Sequence, residues 1–127
     1  MTNQAVFDHA LRLLGELPAS QDIADYADRA PALLCGSCGA LAAADRLCRA
    51  STGQEGQVMP SGSEYALEDE FPLCDMLLPV AALHLASALV FDENPTLSDR
   101  YFQRFGQLVG EIIGALPAEI EPIKRVC

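Results

Sequence analysis

The stretch that decides the fold runs from Met76 to Phe91 and reads MLLPVAALHLASALVF. It contains no aspartate, glutamate, lysine or arginine, and its apolar residues would fall on nearly every side of a helix. A helix that is apolar all round has to be surrounded by other elements. We therefore predict that this segment is the central helix of an all-α domain. It is too short, and interrupted by too many polar residues, to span a membrane.

Residues at the start of this segment favour a helix that begins at Asp75. The Asp75 carboxylate is a good N-cap, since it can accept hydrogen bonds from the first free N–H groups. Pro79 then falls in the first turn, where its missing N–H group costs little. His84 and Ser87 lie three positions apart, so we expect them on one face of the helix.

Three further segments have the apolar spacing of amphipathic helices. The first covers Gln4–Glu16 and the second covers Ser20–Ala50, where Pro31 predicts a kink or a break. The last follows the N-cap residue Asn94 and ends at Pro117. The sequence therefore predicts a compact bundle of four helices, or five if the second is divided.

The length of the chain indicates one domain, since 127 residues fall within the usual range for a single domain. We place the helical domain at residues 1–117 and a C-terminal tail at residues 118–127. A long Gly/Pro-rich and then acidic loop, residues 51–71, connects the second and third main helices. Its first part is typical of a mobile loop, because it combines several breakers with few apolar residues.

The charge balance excludes several classes of function. The chain has 18 acidic and 8 basic residues, a net charge of −10 and a single lysine. Phosphate groups are bound by clustered Lys and Arg, so we expect neither non-specific nucleic-acid binding nor attraction to anionic membranes. Five cysteines, with no secretion signal expected, indicate reduced thiols in a cytoplasm.

Rows of small residues mark two of the predicted helices. Gly106, Gly110 and Gly114 recur at intervals of four, and each glycine inside a helix costs about 0.5–1 kcal/mol relative to alanine. Such a row favours either a tight helix crossing within the monomer or the close approach of a neighbouring subunit. The same two alternatives apply to the row of Ala32, Gly36 and Ala40 in the second helix.

No residue pattern predicts a catalytic, cofactor or metal site. Cys35 and Cys38 form a C-x-x-C pair, but they lie within a helix and not at its start, where a thiol pKa is lowered. Cys48 and Cys74 would complete a zinc set only with an unusual spacing. We expect these cysteines to pack as small apolar residues, with zinc binding or redox chemistry as alternatives.

The histidines and the acidic residues of the loop also have simpler interpretations than catalysis or cation binding. Nothing in the sequence places a nucleophile beside His9 or His84, and His84 suits the edge of the core or a subunit contact. The acidic residues of the loop lack the spacing of a calcium-binding loop and predict a solvated surface. This acidic set is Glu64, Glu68, Asp69 and Glu70.

Several short motifs, taken in order, match a known group of proteins. Arg29–Leu34 reads RAPALL, and Asp69–Asp75 reads DEFPLCD ahead of the uncharged helix. Phe91–Pro95 reads FDENP and leads into the aromatic stretch Tyr101–Phe105, which reads YFQRF. In this order and spacing the chain resembles the small head–tail connector proteins, also called adaptor or head-completion proteins, of long-tailed phages and prophages.

The resemblance covers about Val6 to Gly110 and implies a non-enzymatic, helical virion protein. In that family the subunits form a ring below the portal after DNA packaging, extend the DNA channel and dock neck or tail completion proteins. DNA would pass without sequence-specific contact, and the protein would reside in the bacterial host cytoplasm and then in the virion neck. The two small-residue rows and His84 would be candidate subunit contacts, and the acidic loop a channel-facing or docking segment.

Two alternatives from other classes stay open at this point. A small acidic helical protein can act as a cytosolic regulatory module that binds basic protein partners. The cysteines, in turn, would suit a thiol- or zinc-binding protein if the fold brought enough of them together.

Overall fold

A computed structural model of the chain describes residues 1–15, 22–53 and 65–116. Four α-helices account for most of them: α1 (Asn3–Leu14), α2 (Asp22–Ser51), α3 (Leu78–Val90) and α4 (Pro95–Gly114). A 3-10 turn, Asp75–Leu77, precedes α3. The described residues form no strand, and the prediction of a mostly helical protein is confirmed.

Helix α3 is the centre of the structure, as its uncharged sequence predicts. Helices α1, α2 and α4 each pack against it, and ten of its 13 residues are buried. Leu85 and Leu89 have no exposed surface, and neither has Val80. Burial of a large aliphatic side chain contributes about 1.5–3 kcal/mol, so this helix supplies much of the stability of the domain.

The start of α3 differs from the prediction at Asp75. Asp75 makes no capping hydrogen bond but opens the 3-10 turn, and α3 begins three residues later at Leu78. The side chain of Asp75 is exposed, and the turn is closed by the Leu77 N–H group, which donates to the Cys74 carbonyl at 2.9 Å. Pro79 lies in the first turn of α3, where the sequence placed it.

Helix α2 runs without interruption through Pro31, so the alternative with a divided second helix is wrong. Tyr26, Ala30 and Leu34 are buried at successive turns on both sides of the proline. Their packing outweighs the hydrogen bond that Pro31 cannot make. The carbonyl of Pro31 accepts a hydrogen bond from the N–H group of Tyr65 at 3.0 Å, which attaches the following segment to the helix.

The ends of α1 and α4 follow local signals. Gly15 ends α1 in the left-handed conformation with φ 74°, the backbone shape that glycine adopts most easily. Asn94 caps α4, since its Oδ1 accepts from the Leu97 N–H group at 3.1 Å. Pro117 and the tail at residues 118–127 lie outside the described residues, and α4 ends at Gly114.

The start of α1 is capped in a way that the sequence did not indicate. Neither Thr2 nor Asn3 caps it with a side chain. Instead, the N–H groups of Asn3 and Gln4 donate to the carbonyls of Asp69 and Leu67, at 2.9 and 2.8 Å. Residues 65–74, which include the end of the predicted loop, therefore form a packed wall of the domain, with Tyr65, Phe71, Pro72 and Leu73 buried.

Candidate functional site

The glycine row of α4 lies on an exposed part of the helix. Gly106, Gly110 and Gly114 are exposed, and a Cβ atom built on any of them meets no atom within 4 Å. None has a positive φ angle, so no backbone conformation requires glycine there. Within the described residues, a tight crossing inside the monomer is therefore wrong as an explanation of the row. Close approach of a neighbouring subunit stays a prediction.

The outward face of α2 is smooth and uncharged. No charged residue occurs between Arg29 and Asp45, a stretch that covers four turns of the helix. All of its exposed residues are alanine or glycine: Ala32, Gly36, Gly39, Ala40 and Ala43. Leu47, 39% exposed, extends this face by one turn. An uncharged face without long side chains lets another helix approach closely.

An open cleft of about 360 Å³ lies between the end of α3 and the first turns of α4. Two aromatic side chains beside it are unusually exposed, Phe91 at 62% and Phe102 at 53%. The residues that line this aromatic cleft are Ser87, Phe91, Pro95, Ser98, Asp99 and Phe102. Exposed aromatic groups around a concavity are typical of an interaction site.

A reciprocal pair of serines holds the base of the aromatic cleft together. The Ser98 hydroxyl donates to the Ser87 carbonyl at 2.7 Å, and the Ser87 hydroxyl donates to the Ser98 carbonyl at 2.8 Å. Both serines are buried, and each satisfies the polar atom that the other brings into the core. The two helices that form the cleft are therefore joined directly beneath it.

His84 links three helices at the edge of the core. Its Nδ1 lies 2.7 Å from the Oγ of Ser37 on α2, 47 residues away in the chain. On the other side its ring contacts α4, with Phe105 edge-on at 4.9 Å between ring centroids and Phe102 at 6.1 Å. The sequence analysis missed this Ser–His contact, because nothing local relates two residues so far apart.

The geometry of the Ser37–His84 pair suits a structural link better than a nucleophile. Ser37 has no exposed surface, so a substrate has no path to its hydroxyl. Its oxygen also lies 3.3 Å from the Leu33 carbonyl, a second partner for its single proton. Burial lowers the pKa of His84, which keeps the imidazole neutral near pH 7.

The described cysteines do not assemble into a ligand set. Among the described residues no group of three His, Cys, Asp or Glu side chains is placed to hold a metal ion. Burial raises the pKa of Cys38 to about 12 and that of Cys74 to about 11, and it also raises the pKa of Cys48. Such thiols are protonated near pH 7, whereas metal binding and redox attack need the thiolate. Cys127 lies outside the described residues.

A buried ion pair in α2 is a second feature that the sequence analysis missed. Asp45 is 2% exposed and accepts hydrogen bonds from Arg49 Nε at 2.9 Å and from the Cys74 N–H group at 2.8 Å. Arg49 in turn donates to the Pro72 carbonyl at 3.1 Å. The pair fastens residues 72–74 to α2. The i,i+4 spacing of an acid and a base at the end of an uncharged stretch was the available signal.

Three residues of the acidic set, Glu68, Asp69 and Glu70, are exposed at the end of the domain where α1 begins. Glu64 lies outside the described residues. Glu70 Oε2 lies 3.2 Å from the terminal amino group of Met1, an exposed pair that contributes little stability. Their side chains face solvent, while their backbone holds α1.

Comparison of the chain with protein-family models, curated proteins and solved structures found no match. Among the described residues, no helix has both the length and the apolar character that spanning a bilayer requires. The candidate functional surfaces are therefore the small-residue face of α2, the glycine row of α4 and the aromatic cleft.

Proposed function

We propose that this chain is a structural subunit that assembles into a ring with copies of itself, as a head–tail connector of a long-tailed phage or prophage. The observation that carries the proposal is the glycine row of α4. Three glycines in one helix lower its stability by about 0.5–1 kcal/mol each, and no contact within the described chain requires them. A close neighbour outside the monomer accounts for that cost.

The surfaces on α2 and α4 support a head-to-tail arrangement. A ring needs two different faces on each subunit that complement each other, whereas a twofold dimer uses one face twice. The uncharged Ala/Gly face of α2 and the glycine row of α4 are two such faces on separate helices. Backbones that approach closely at small residues gain van der Waals contact and lose little side-chain entropy.

The charge of the chain supports a role next to DNA without binding it. The net charge of −10 repels phosphate, so a ring lined by acidic side chains would let a duplex slide. Glu68, Asp69 and Glu70 are exposed together at one end of the domain and are suited to line such a channel or to dock a neck protein. The motifs around Pro72 and Asn94 add the resemblance to connector proteins.

Substitution of Gly110 by leucine tests the assembly face. Because a Cβ atom at Gly110 meets nothing within the monomer, Gly110→Leu should fold normally but lose self-association. Arg104→Leu, at an exposed position about 120° around the same helix from Gly110, is the matched control and should still associate. Circular dichroism reports folding and sedimentation velocity reports association. If both variants self-associate as strongly as the unaltered chain does, the glycine row is not part of the interface.

Native mass spectrometry tests the connector role itself, with the portal protein whose gene lies nearest to the gene of this chain. We expect the chain to bind the portal ring in multiple copies, whether or not it is oligomeric alone. Self-association without binding to the portal protein would contradict the connector role and leave the proposal of a self-assembling subunit. A chain that does neither would contradict the proposal as a whole.

A further inference from the structure

The aromatic cleft between α3 and α4 has no partner within the described chain. Phe91 and Phe102 stand beside it with more than half of their surface exposed, and Pro95 supplies a third apolar wall. Exposure of these rings to water costs free energy, at about 25 cal/mol for each Å² of apolar surface. The hydroxyls of Ser87 and Ser98 already satisfy each other, so the base of the cleft has little need for a polar occupant.

The rim of the aromatic cleft is negatively charged. Asp99 lines the cleft three residues before Phe102, on the same side of α4, and the exposed Asp92 follows Phe91 directly. The next residue, Glu93, instead accepts a hydrogen bond from the Tyr26 hydroxyl of α2 at 2.7 Å. The nearby basic residues, Arg100 and Arg104, are each two positions from Phe102 and therefore project from the opposite side of the helix. An apolar segment that carries positive charge would complement this cleft.

Residues 118–127, which lie outside the described part of the structure, read AEIEPIKRVC. Glu119 and Glu121 precede Pro122, and the part with that character is 122–127, PIKRVC. Lys124 is the only lysine in the protein, and with Arg125 it forms the only pair of adjacent basic residues. Ile123 and Val126 flank this pair, so two basic residues lie between two apolar ones.

The length of the tail favours a cleft on a neighbouring molecule. Leu116 lies 14 residues beyond Phe102 on α4 and the residues that extend it, a distance of about 21 Å along the helix axis. The seven residues from Leu116 to Ile123 reach at most about 25 Å when fully extended. A tail that reached its own cleft would have to reverse direction and run almost straight along α4. A neighbouring cleft imposes no such constraint.

We propose that the C-terminal tail of one copy docks in the aromatic cleft of the next copy. Ile123 enters between Phe91 and Phe102, while Lys124 and Arg125 pair with the acidic rim. A tail on one molecule and a cleft on the next form a head-to-tail contact, the type that generates rings. The inference rests on the proposed self-assembly and names a contact separate from the glycine row.

Photo-crosslinking of the full chain tests the docking. Benzoylphenylalanine replaces Phe102 in an equal mixture of 14N- and 15N-labelled protein, and mass spectrometry locates the linked peptides. We expect links to residues 118–127 that join a light chain to a heavy chain. The same group at Met76, which is 45% exposed and lies outside the cleft, is the control and should not link to the tail. Links within a single chain only, links to another protein only, or no link to the tail would each overturn the inference.

Charge reversal gives an independent test in sedimentation equilibrium. Lys124→Glu combined with Arg125→Glu should weaken self-association about tenfold at low salt, and added Asp92→Lys and Asp99→Lys should restore it. Arg100→Glu with Arg104→Glu makes the same change in net charge on the far side of α4 and should have a much smaller effect.

The two proposals fail in different ways. Association that survives tail reversal but is lost in Gly110→Leu would refute tail docking and leave the assembly proposal standing. Equal weakening by the tail reversal and by the reversal at Arg100 and Arg104 would also refute docking, because only net charge would then matter. Absence of any association, alone or with portal, would refute both.

Discussion

Helices α3 and α4 pack against each other, yet they expose very different fractions of their apolar residues. In α3 ten of 13 residues are buried, whereas in α4 Ser98 is the one buried residue of 20. Tyr101, Phe105 and Leu108 are half-buried against α3, but Phe102 and Ile113 remain exposed on the flank. The apolar stripe of α4 is wider than the surface that α3 offers to cover it.

This contrast separates residues that hold the monomer together from residues that are available to a partner. Substitutions in α3 should change the free energy of unfolding. Substitutions on the exposed flank of α4 should leave folding intact and change association.

The largest effect is expected at the centre of α3. Leu85 has no exposed surface, so Leu85→Ala should lower the free energy of unfolding by about 2–5 kcal/mol through lost burial and a cavity. Ile113→Ala on α4, 37% exposed in the folded chain, should cost under about 1 kcal/mol. Urea denaturation measures both. Similar losses at the two positions would contradict the division between the helices.

The contact between the two helices should give an intermediate effect. Ser98→Ala removes a buried hydroxyl that donates to the Ser87 carbonyl and should cost about 1–2 kcal/mol. Because the serines satisfy each other, the double variant with Ser87→Ala should cost less than the sum of the single changes. Strict additivity in a double-mutant cycle would show that the two hydroxyls act independently.

A gain in stability is expected on the exposed side of α4. Gly110→Ala should raise the free energy of unfolding by about 0.5–1 kcal/mol, since alanine favours the helix and its methyl group meets no neighbour. Gly15→Ala is the contrasting control, and its φ of 74° should make the same change destabilising by about 1 kcal/mol. A loss of stability at Gly110 would indicate a packing role within the monomer.

The smallest effect concerns His84, where α2, α3 and α4 meet. Burial lowers its pKa in the folded state, so the unfolded chain takes up the proton first as the pH falls. The stabilising contribution is complete above about pH 6.5 and is lost as the pH falls through the lowered value. Denaturation of the unaltered chain between pH 7 and 5 should therefore show a steeper loss than His84→Gln. Parallel curves would mean that the imidazole titrates normally.

Sequence reasoning identified the parts of the fold that depend on neighbouring residues. The central position of α3 and the cap at Asn94 both follow from local patterns. Of the kink or break expected at Pro31, the break is wrong, because packing on both sides of the proline keeps α2 continuous. Sequence reasoning was also wrong at Asp75, where a 3-10 turn stands in place of the predicted cap.

The contacts that sequence reasoning missed join residues far apart in the chain. Ser37 meets His84 across 47 positions, and Asp45 meets the backbone of Cys74 across 29. The glycine row was visible from its spacing, but spacing alone left two explanations. The open space around each glycine removes the one that lies within the described monomer.

The amino-acid sequence by itself determined that this protein is helical, acidic and built around one uncharged segment, because helix period, caps and charge act over a few residues. The tertiary structure alone decided which small-residue faces stay uncovered, which aromatic rings border a cleft and which polar groups are joined in the core. Those outcomes depend on how four helices share a limited amount of apolar surface, and that competition is settled only when the whole chain packs together.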